Sequence, residues 1–101
     1  MEILDSMEAR EKRAGRQAQG RTQVGSVEHF FERINVAAIK LSGSLKVGNT
    51  IEIENKEYTL RQKVNSMQID RRDVNEASDG NSVGVKVHVP VRKGSAVYRL
   101  D

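Results

Sequence analysis

Apolar and polar residues alternate along three stretches of the chain, at residues 37–42, 50–54 and 83–89. In the last stretch a valine stands at every second position. Strict alternation turns one set of side chains towards a core and the other towards solvent, which is the pattern of a half-buried β-strand. We therefore predict that the chain consists of strands from Val24 onward.

Turn-forming residues separate the predicted strands. Gly, Asn, Asp and Ser are concentrated at residues 42–44, 47–49, 54–56, 79–81 and 93–95. Many short strands joined by turns at regular spacing are typical of an antiparallel sandwich or barrel. We predict an all-β fold, a six- to seven-stranded antiparallel closed barrel, because closure leaves no unpaired strand edge.

Residues 1–23 lack this alternation. After Met7 they hold almost no large apolar side chain, and two glycines interrupt the weak helical tendency of the alanines. We predict a flexible basic tail, disordered or partly helical, that precedes one barrel domain at residues 24–101. Two interpretations of the tail stay open: a solvated tail or expression remnant, and an arm whose Arg13 and Arg16 contact RNA phosphates.

Several segments carry a family resemblance. Residues 45–48 read Leu-Lys-Val-Gly before a strand, and residues 80–85 read Gly-Asn-Ser-Val-Gly-Val. A long predicted strand at 60–69 lies between them, and a closing strand follows at 96–100. In this order they resemble the second, β-barrel domain of translational GTPases such as elongation factor Tu, over roughly residues 24–100. The resemblance implies that barrel fold and a connection with translation.

Similar short barrels occur as stand-alone translation-factor-like proteins and as the C-terminal part of collagenase-like peptidase-family proteins that act on RNA modification. Residues 63–69 and 91–98 suggest this short form. The resemblance implies a non-catalytic accessory protein that binds RNA, a ribosomal component or a tRNA-acting enzyme. The alternative is a protein–protein interaction module supplied in trans to a larger enzyme, similar to the peptidase-family barrel.

The stretch 27–34 fits a helical stripe as well as a strand. The resemblance favours two strands joined by a turn. On that prediction Val27, His29 and Phe31 share one face of the first strand and Phe30 lies on the other. Phe30 would then be partly exposed, which makes it a candidate contact with a protein partner.

No nucleotide site is expected. A Gly-rich phosphate loop with Lys and Ser or Thr is absent, so we expect neither GTP binding nor any other cofactor. Ser66, Met67, Gln68 and Ser82 do not keep the acidic, aromatic and amide set with which the resembled barrel holds aminoacylated tRNA. We therefore do not expect this chain to bind aminoacylated tRNA.

Amino-acid composition excludes some kinds of site and indicates the cellular location. The 101 residues include no Cys and carry a formal net charge of +3. Thiolate metal sites and disulfides are thereby excluded, and no apolar run approaches the ~20 residues that cross a bilayer. Glu2 and Asp5 stand where a secretory signal needs an apolar core. We expect a cytoplasmic protein without membrane contact.

Catalytic and metal chemistry have little support. His29 and His88 are the only histidines, and no acidic residue stands at a ligand spacing from either. A metal site needs three or four convergent ligands. No nucleophile-elbow motif is present. We expect no metal and no enzyme activity.

Basic residues stand near the predicted loops and strand ends. Arg71 and Arg72 follow the long strand, Lys86 lies on a later one, and Arg92 and Lys93 occupy the last turn. If these loops meet at one end of the barrel, the side chains form a patch that suits phosphate oxygens of RNA. Ordinary solubilising charges and contact with an acidic protein partner are the alternatives.

Overall fold

The computed structural model describes residues 20–100, which contain strands and turns and no helix. The ten strands are β1 Arg21–Phe31, β2 Val36–Leu41, β3 Leu45–Lys46, β4 Thr50–Glu54, β5 Thr59–Lys63, β6 Met67–Ile69, β7 Arg72–Val74, β8 Glu76–Ala77, β9 Ser82–Lys86 and β10 Ala96–Leu100. The predicted all-β fold is confirmed. Several of the strands are short, so their number exceeds the predicted six or seven.

Eight strands form one sheet in the order β5-β4-β10-β1-β2-β9-β6-β7, and β3 pairs with β8 in a second, two-stranded sheet. All the strand pairs in this part of the chain are antiparallel. Turns join the consecutive pairs β1–β2, β4–β5 and β6–β7, and the remaining pairs bring together strands that are not consecutive in the chain.

The predicted closed barrel is wrong, because β5 and β7 remain the two edges of the large sheet. The side chain of Gln62 on β5 instead joins that edge to the end of β9. Its Nε2 donates to the carbonyl of Lys86 at 2.9 Å, and its Oε1 accepts from the amide of His88 at 3.1 Å. A buried glutamine thus satisfies backbone groups that a continuous ladder would otherwise pair.

The core fills the inner face of the curved sheet. Its members are the alternating apolar residues of the strands and a few from the loops, all buried. They are Val24, Val27, Ala37, Ile39, Leu41, Leu45, Ile51, Ile53, Val64, Met67, Ala77, Val83, Val85, Val87, Val91 and Val97. The alternation predicted at residues 37–42 and 83–89 is confirmed as far as Leu41 and Val87, because the intervening side chains lie outside this cluster. Two positions differ from the prediction: Val89 is 44% exposed, and Glu52, in the stretch 50–54, is buried.

A β-bulge in β1 overturns the predicted faces around Phe30. The register of β1 against β2 shifts between Val27 and His29, so one extra residue reverses the alternation beyond that point. Phe30 is half-buried and packs against the core, so its partial exposure agrees with the prediction and its face does not, whereas Phe31 is 46% exposed. His29 lies edge-on to the Phe31 ring, with the centroids 4.5 Å apart. Val27 and Phe31 therefore lie on opposite faces, contrary to the prediction.

The long strand predicted at residues 60–69 is also wrong. It breaks into β5 and β6 around Val64, whose side chain is fully buried. The amide of Val64 donates to the carbonyl of Asn49 at 2.8 Å, and its carbonyl accepts from the amide of Gly48 at 2.8 Å. Gly48 has a φ of 99°, a conformation that favours glycine. The loop at Gly48 therefore holds the break in place.

Candidate docking groove on the outer face of the sheet

A groove of about 520 Å³ crosses the outer face of the sheet over β2, β9 and β6. Ala38, Gly84 and Gln68 stand directly opposite one another on these three strands and form its floor. Because Ala37 and Val85, their neighbours along the strands, point into the core, this row faces outward. We call this feature the outer groove.

Apolar side chains form one wall of the outer groove. Phe31 ends β1, Ile34 lies in the following turn, and Val36 begins β2. The turn is tight because Asn35 adopts a φ of 53°, a left-handed conformation that asparagine tolerates well. Together the bulge in β1 and this turn present the ring of Phe31 and the side chain of Ile34 to solvent.

Polar side chains form the opposite wall. Asp70 and Arg71 are the two central residues of the hairpin that joins β6 to β7, with φ values of 51° and 66°. Positive φ at both positions is the requirement of a type I′ turn, which matches the twist of the strands. Gln68 donates to Oδ1 of Asp73 at 3.0 Å, which fixes its amide beside the groove.

The predicted basic residues divide between two hollows. Arg71 lines the outer groove, and Lys86 lies directly across from Val36 at its margin. Arg92 and Lys93 line a separate hollow near the β4–β5 turn, where Arg92 pairs with Glu57 at 3.2 Å. Arg72, exposed on the edge strand β7, completes the set.

Arg13 and Arg16, predicted to be part of a basic arm, lie outside the described residues.

An ion-pair cluster occupies another part of the outer surface. Glu52 on β4 accepts from Arg21 at 3.0 Å and from the Nη2 of Arg61 at 2.8 Å. Arg21 also pairs with Glu54 and lies 3.8 Å from the ring centroid of Tyr98. Burial raises the pKa of the Glu52 carboxyl, but the hydrogen bonds from Arg61 and Arg21 outweigh it and hold that pKa below its ordinary value. The cluster ties β1 to β4 and β5.

Within residues 20–100 no group of three or more His, Cys, Asp or Glu side chains converges as metal ligands would. The described part of the chain also contains no helix that is long and apolar enough to cross a membrane.

The apolar wall of the outer groove was missed by sequence reasoning, which selected Phe30 in place of Phe31. Two signals were available. Ile34 is a large apolar residue in a turn, where polar residues are usual, and Ala38 and Gly84 are small residues at outward positions of neighbouring strands. Neither signal reveals that the two features meet, since the bulge in β1 decides which aromatic ring points outward.

Two curated proteins share sequence similarity with the chain. An uncharacterized protease of Methanocaldococcus jannaschii is 42% identical over 79 residues, which are 77% of this chain and 19% of the protease. A collagenase of Porphyromonas gingivalis is 31% identical over 83 residues, which are 80% of this chain and 23% of the collagenase. The chain therefore spans about a fifth of the length of these relatives. No protein-family model matches it.

The fold is similar to a solved structure, the C-terminal domain of a Geobacillus thermoleovorans protein named as a U32 peptidase. The TM-score is 0.74 at 15% sequence identity, with 78% of this chain and 92% of that domain covered. A selenomethionine variant of the same domain gives a TM-score of 0.72. At this level of identity the similarity establishes the fold of the domain alone.

These comparisons overturn the interpretation as a stand-alone relative of the second domain of elongation factor Tu, and with it the translation and RNA-binding role. The relatives are a protease and a collagenase, and the matching fold is a peptidase's C-terminal domain. The short segments that carried the resemblance are turns that lead into strands. Unrelated antiparallel folds need the same turn chemistry. The comparisons favour the alternative, an accessory domain related to a larger enzyme.

Proposed function

We propose that residues 20–100 form a non-catalytic accessory domain that docks through the outer groove onto the catalytic region of a U32-type peptidase. The observation that carries the proposal is the match to 92% of an isolated C-terminal peptidase domain at a TM-score of 0.74. The chain corresponds to about a fifth of its curated relatives. We therefore take the catalytic region of such a protein as the binding partner of this domain.

The surface chemistry supports docking over catalysis. Residues 20–100 hold no converging metal-ligand set, and their sequence contains no nucleophile-elbow motif. The outer groove instead presents exposed apolar side chains beside charged ones. Interfaces combine an apolar centre with a polar rim in this way.

The proposal is tested with the full 101-residue chain and the Methanocaldococcus jannaschii protease from which the region matched by this chain has been deleted. Isothermal titration calorimetry should give saturable 1:1 binding, with a Kd of about 10 μM or tighter, which corresponds to roughly 7 kcal/mol. Absence of binding with the partner at about 100 μM would contradict the accessory role.

Two variants of exposed apolar residues locate the contact. Ile34→Ser removes apolar surface from the outer groove, and Val89→Ser removes a similar exposed side chain elsewhere. Ile34→Ser should weaken binding by about tenfold, since an apolar anchor in a protein interface contributes more than 1 kcal/mol. Val89→Ser should leave the Kd within about twofold. Equal effects of the two substitutions would place the contact outside the groove.

A further inference from the structure

The outer groove has depth because its floor lacks large side chains. Ala38 and Gly84 stand side by side where longer residues would fill it. A Cβ atom at Gly84 would lie 3.2 Å from Cγ1 of Val36, which is tighter than ordinary contact. A side chain at this position would therefore have to displace Val36, and glycine keeps the floor of the groove low.

The wall of the groove concentrates exposed apolar surface. Among residues 20–100 only four large apolar residues are strongly exposed, and two of them, Phe31 and Ile34, line the outer groove. Val36 continues this wall towards the floor. Single exposed apolar residues are ordinary, but a group of them around a cavity indicates a contact surface. The occupant therefore carries an apolar side chain.

The charges around the groove are mostly positive. Arg71 lies on its polar wall, and Lys86 and Lys40 lie across from Val36 and Ser82 at its margins. Lys40 donates to the carbonyl of Gly80, whereas within the described residues Arg71 and Lys86 have no ion-pair partner. Asp70 is the one acidic residue that lines the groove, and Asp73, which accepts from the Gln68 amide, lies beside it. This excess of cations favours an occupant with carboxylates beside its apolar side chain.

The hairpin that carries Arg71 is held in a conformation that arginine rarely adopts. Asparagine, aspartate and glycine account for most residues with positive φ in such turns, and Asp70 fits that rule, but Arg71 does not. Backbone strain of this kind is concentrated at functional sites, including the clamps that hold ligands. The backbone conformation of Arg71 sets the direction in which its side chain projects from the hairpin.

From these four observations we propose that the outer groove binds a short extended segment of a protein partner, in which an apolar side chain is flanked by carboxylates. The apolar side chain lies over Ala38 and Gly84 against Ile34, and a carboxylate pairs with Arg71. The inference rests on the proposed accessory function only for the identity of the partner, the catalytic region of the peptidase. The recognition chemistry belongs to the groove alone.

Three probe peptides test the chemistry directly. All are acetylated and amidated: Asp-Glu-Leu-Asp-Glu, the same peptide with Ser in place of Leu, and Lys-Arg-Leu-Arg-Lys. Each is titrated into the 15N-labelled full chain while amide shifts are followed. The acidic leucine peptide should give saturable shifts at Ala38, Gly84 and Gln68. Its Kd should be at least about tenfold lower than that of either control peptide, because both apolar contact and charge are required.

Two charge variants give a matched comparison. Arg71→Ala should weaken the acidic leucine peptide by about fivefold, whereas Lys93→Ala, which removes a cation from the other hollow, should change the Kd by less than twofold. A 15N spectrum of each variant checks that the fold is retained. Shifts concentrated around Lys56 and Lys93, or equal binding of all three peptides, would overturn the inference.

The remaining outcomes separate the inference from the proposed function. If the acidic peptide occupies the groove but the catalytic region does not bind the chain, the accessory role fails and the groove chemistry stands. If the catalytic region binds but no peptide enters the groove, the inference fails and the accessory role stands. Concentration-dependent shifts at the groove without any peptide would identify a second copy of the chain as the occupant and would overturn the proposed partner.

Discussion

The buried amide of Gln62 joins two strands that share no backbone ladder. It donates to Lys86 and accepts from His88, so both polar ends of one side chain are used. Gln62 is 5% exposed, and water therefore has little access to the backbone groups that it pairs. At the scale of a single residue, this amide replaces the hydrogen bonds that a closed barrel would have made.

Gln62→Leu should therefore lower the free energy of unfolding by about 1–3 kcal/mol, because it leaves buried backbone donors and acceptors without partners. Urea denaturation measures the change. Gln68→Leu is the control, since that amide lies on the exposed face. Similar costs for the two substitutions would show that the bridge is not a stabilising element.

Glu52 gives the protein a defined acid sensitivity. Its pKa is lower in the folded chain than in the unfolded one, because Arg61 and Arg21 stabilise the charged form. The stability that this shift contributes is fully present above the unfolded value of about 4.3 and is lost as the pH falls through the lower folded value. Glu52→Gln should therefore flatten the decline in unfolding free energy between roughly pH 5 and pH 3.

Glu32→Gln, at an exposed position in the β1–β2 turn, is the control for this experiment. Chemical denaturation at several pH values gives both profiles. If both variants kept the slope of the unsubstituted chain, the ion-pair cluster would not be the source of acid sensitivity.

Arg71 links stability to docking. Glycine adopts a φ of 66° without steric penalty, whereas the left-handed conformation costs other residues about 1–2 kcal/mol. Arg71→Gly should raise the free energy of unfolding by about 0.5–1 kcal/mol, since the greater freedom of glycine in the unfolded chain offsets part of the relief. The same substitution should weaken the acidic peptide. A variant that lost stability would refute the assigned strain.

At the scale of the elements, alternation and turn chemistry predicted most of the strands. The closing strand expected at residues 96–100 is β10, and the alternating stretches at 37–42, 50–54 and 83–89 correspond to β2, β4 and β9, although β9 ends at Lys86. These predictions succeed because a strand with one buried face repeats every two residues, and this period is written into the sequence. The φ of 53° at Asn35 is likewise a local feature, because the asparagine side chain tolerates the left-handed conformation.

The bulge in β1, the break at Val64 and the outer groove could not be predicted in the same way. One inserted residue at a bulge reverses every later side chain, and nothing in the local sequence around Glu28 marks it. The break at Val64 depends on hydrogen bonds with the distant residues Gly48 and Asn49. The outer groove forms only when β2, β9 and β6 pair in the register that places Ala38, Gly84 and Gln68 side by side. All three features depend on tertiary contacts.

The inner face of β9 offers a test of the strand assignment. Val85 is fully buried, and Lys86, the next residue, is exposed. Val85→Ala should lower the free energy of unfolding by about 1–3 kcal/mol through lost burial and an unfilled cavity. Lys86→Ala should change it by less than about 0.5 kcal/mol. Thermal or urea unfolding of both variants measures the difference, and equal losses would mean that the faces are misassigned.

At the scale of the whole molecule, the open sheet has a filled inner face and a partly apolar outer one. The core and the Gln62 bridge account for the first, and the outer groove lies on the second. The matched region is about a fifth of each curated relative, so in those proteins a much larger region accompanies it. The groove is the surface of this domain that best suits such a contact.

If this domain docks onto a U32-type catalytic region through the outer groove, the contact should be visible in the exchange of backbone amides. Hydrogen–deuterium exchange of the full chain, with and without the truncated Methanocaldococcus jannaschii protease, maps the contact directly. We expect the protease to slow exchange in two segments, residues 31–38 and 67–72, and to leave exchange in residues 55–58 and 92–95 unchanged. Protection confined to the latter segments, or no protection at saturating protease, would contradict docking through the outer groove.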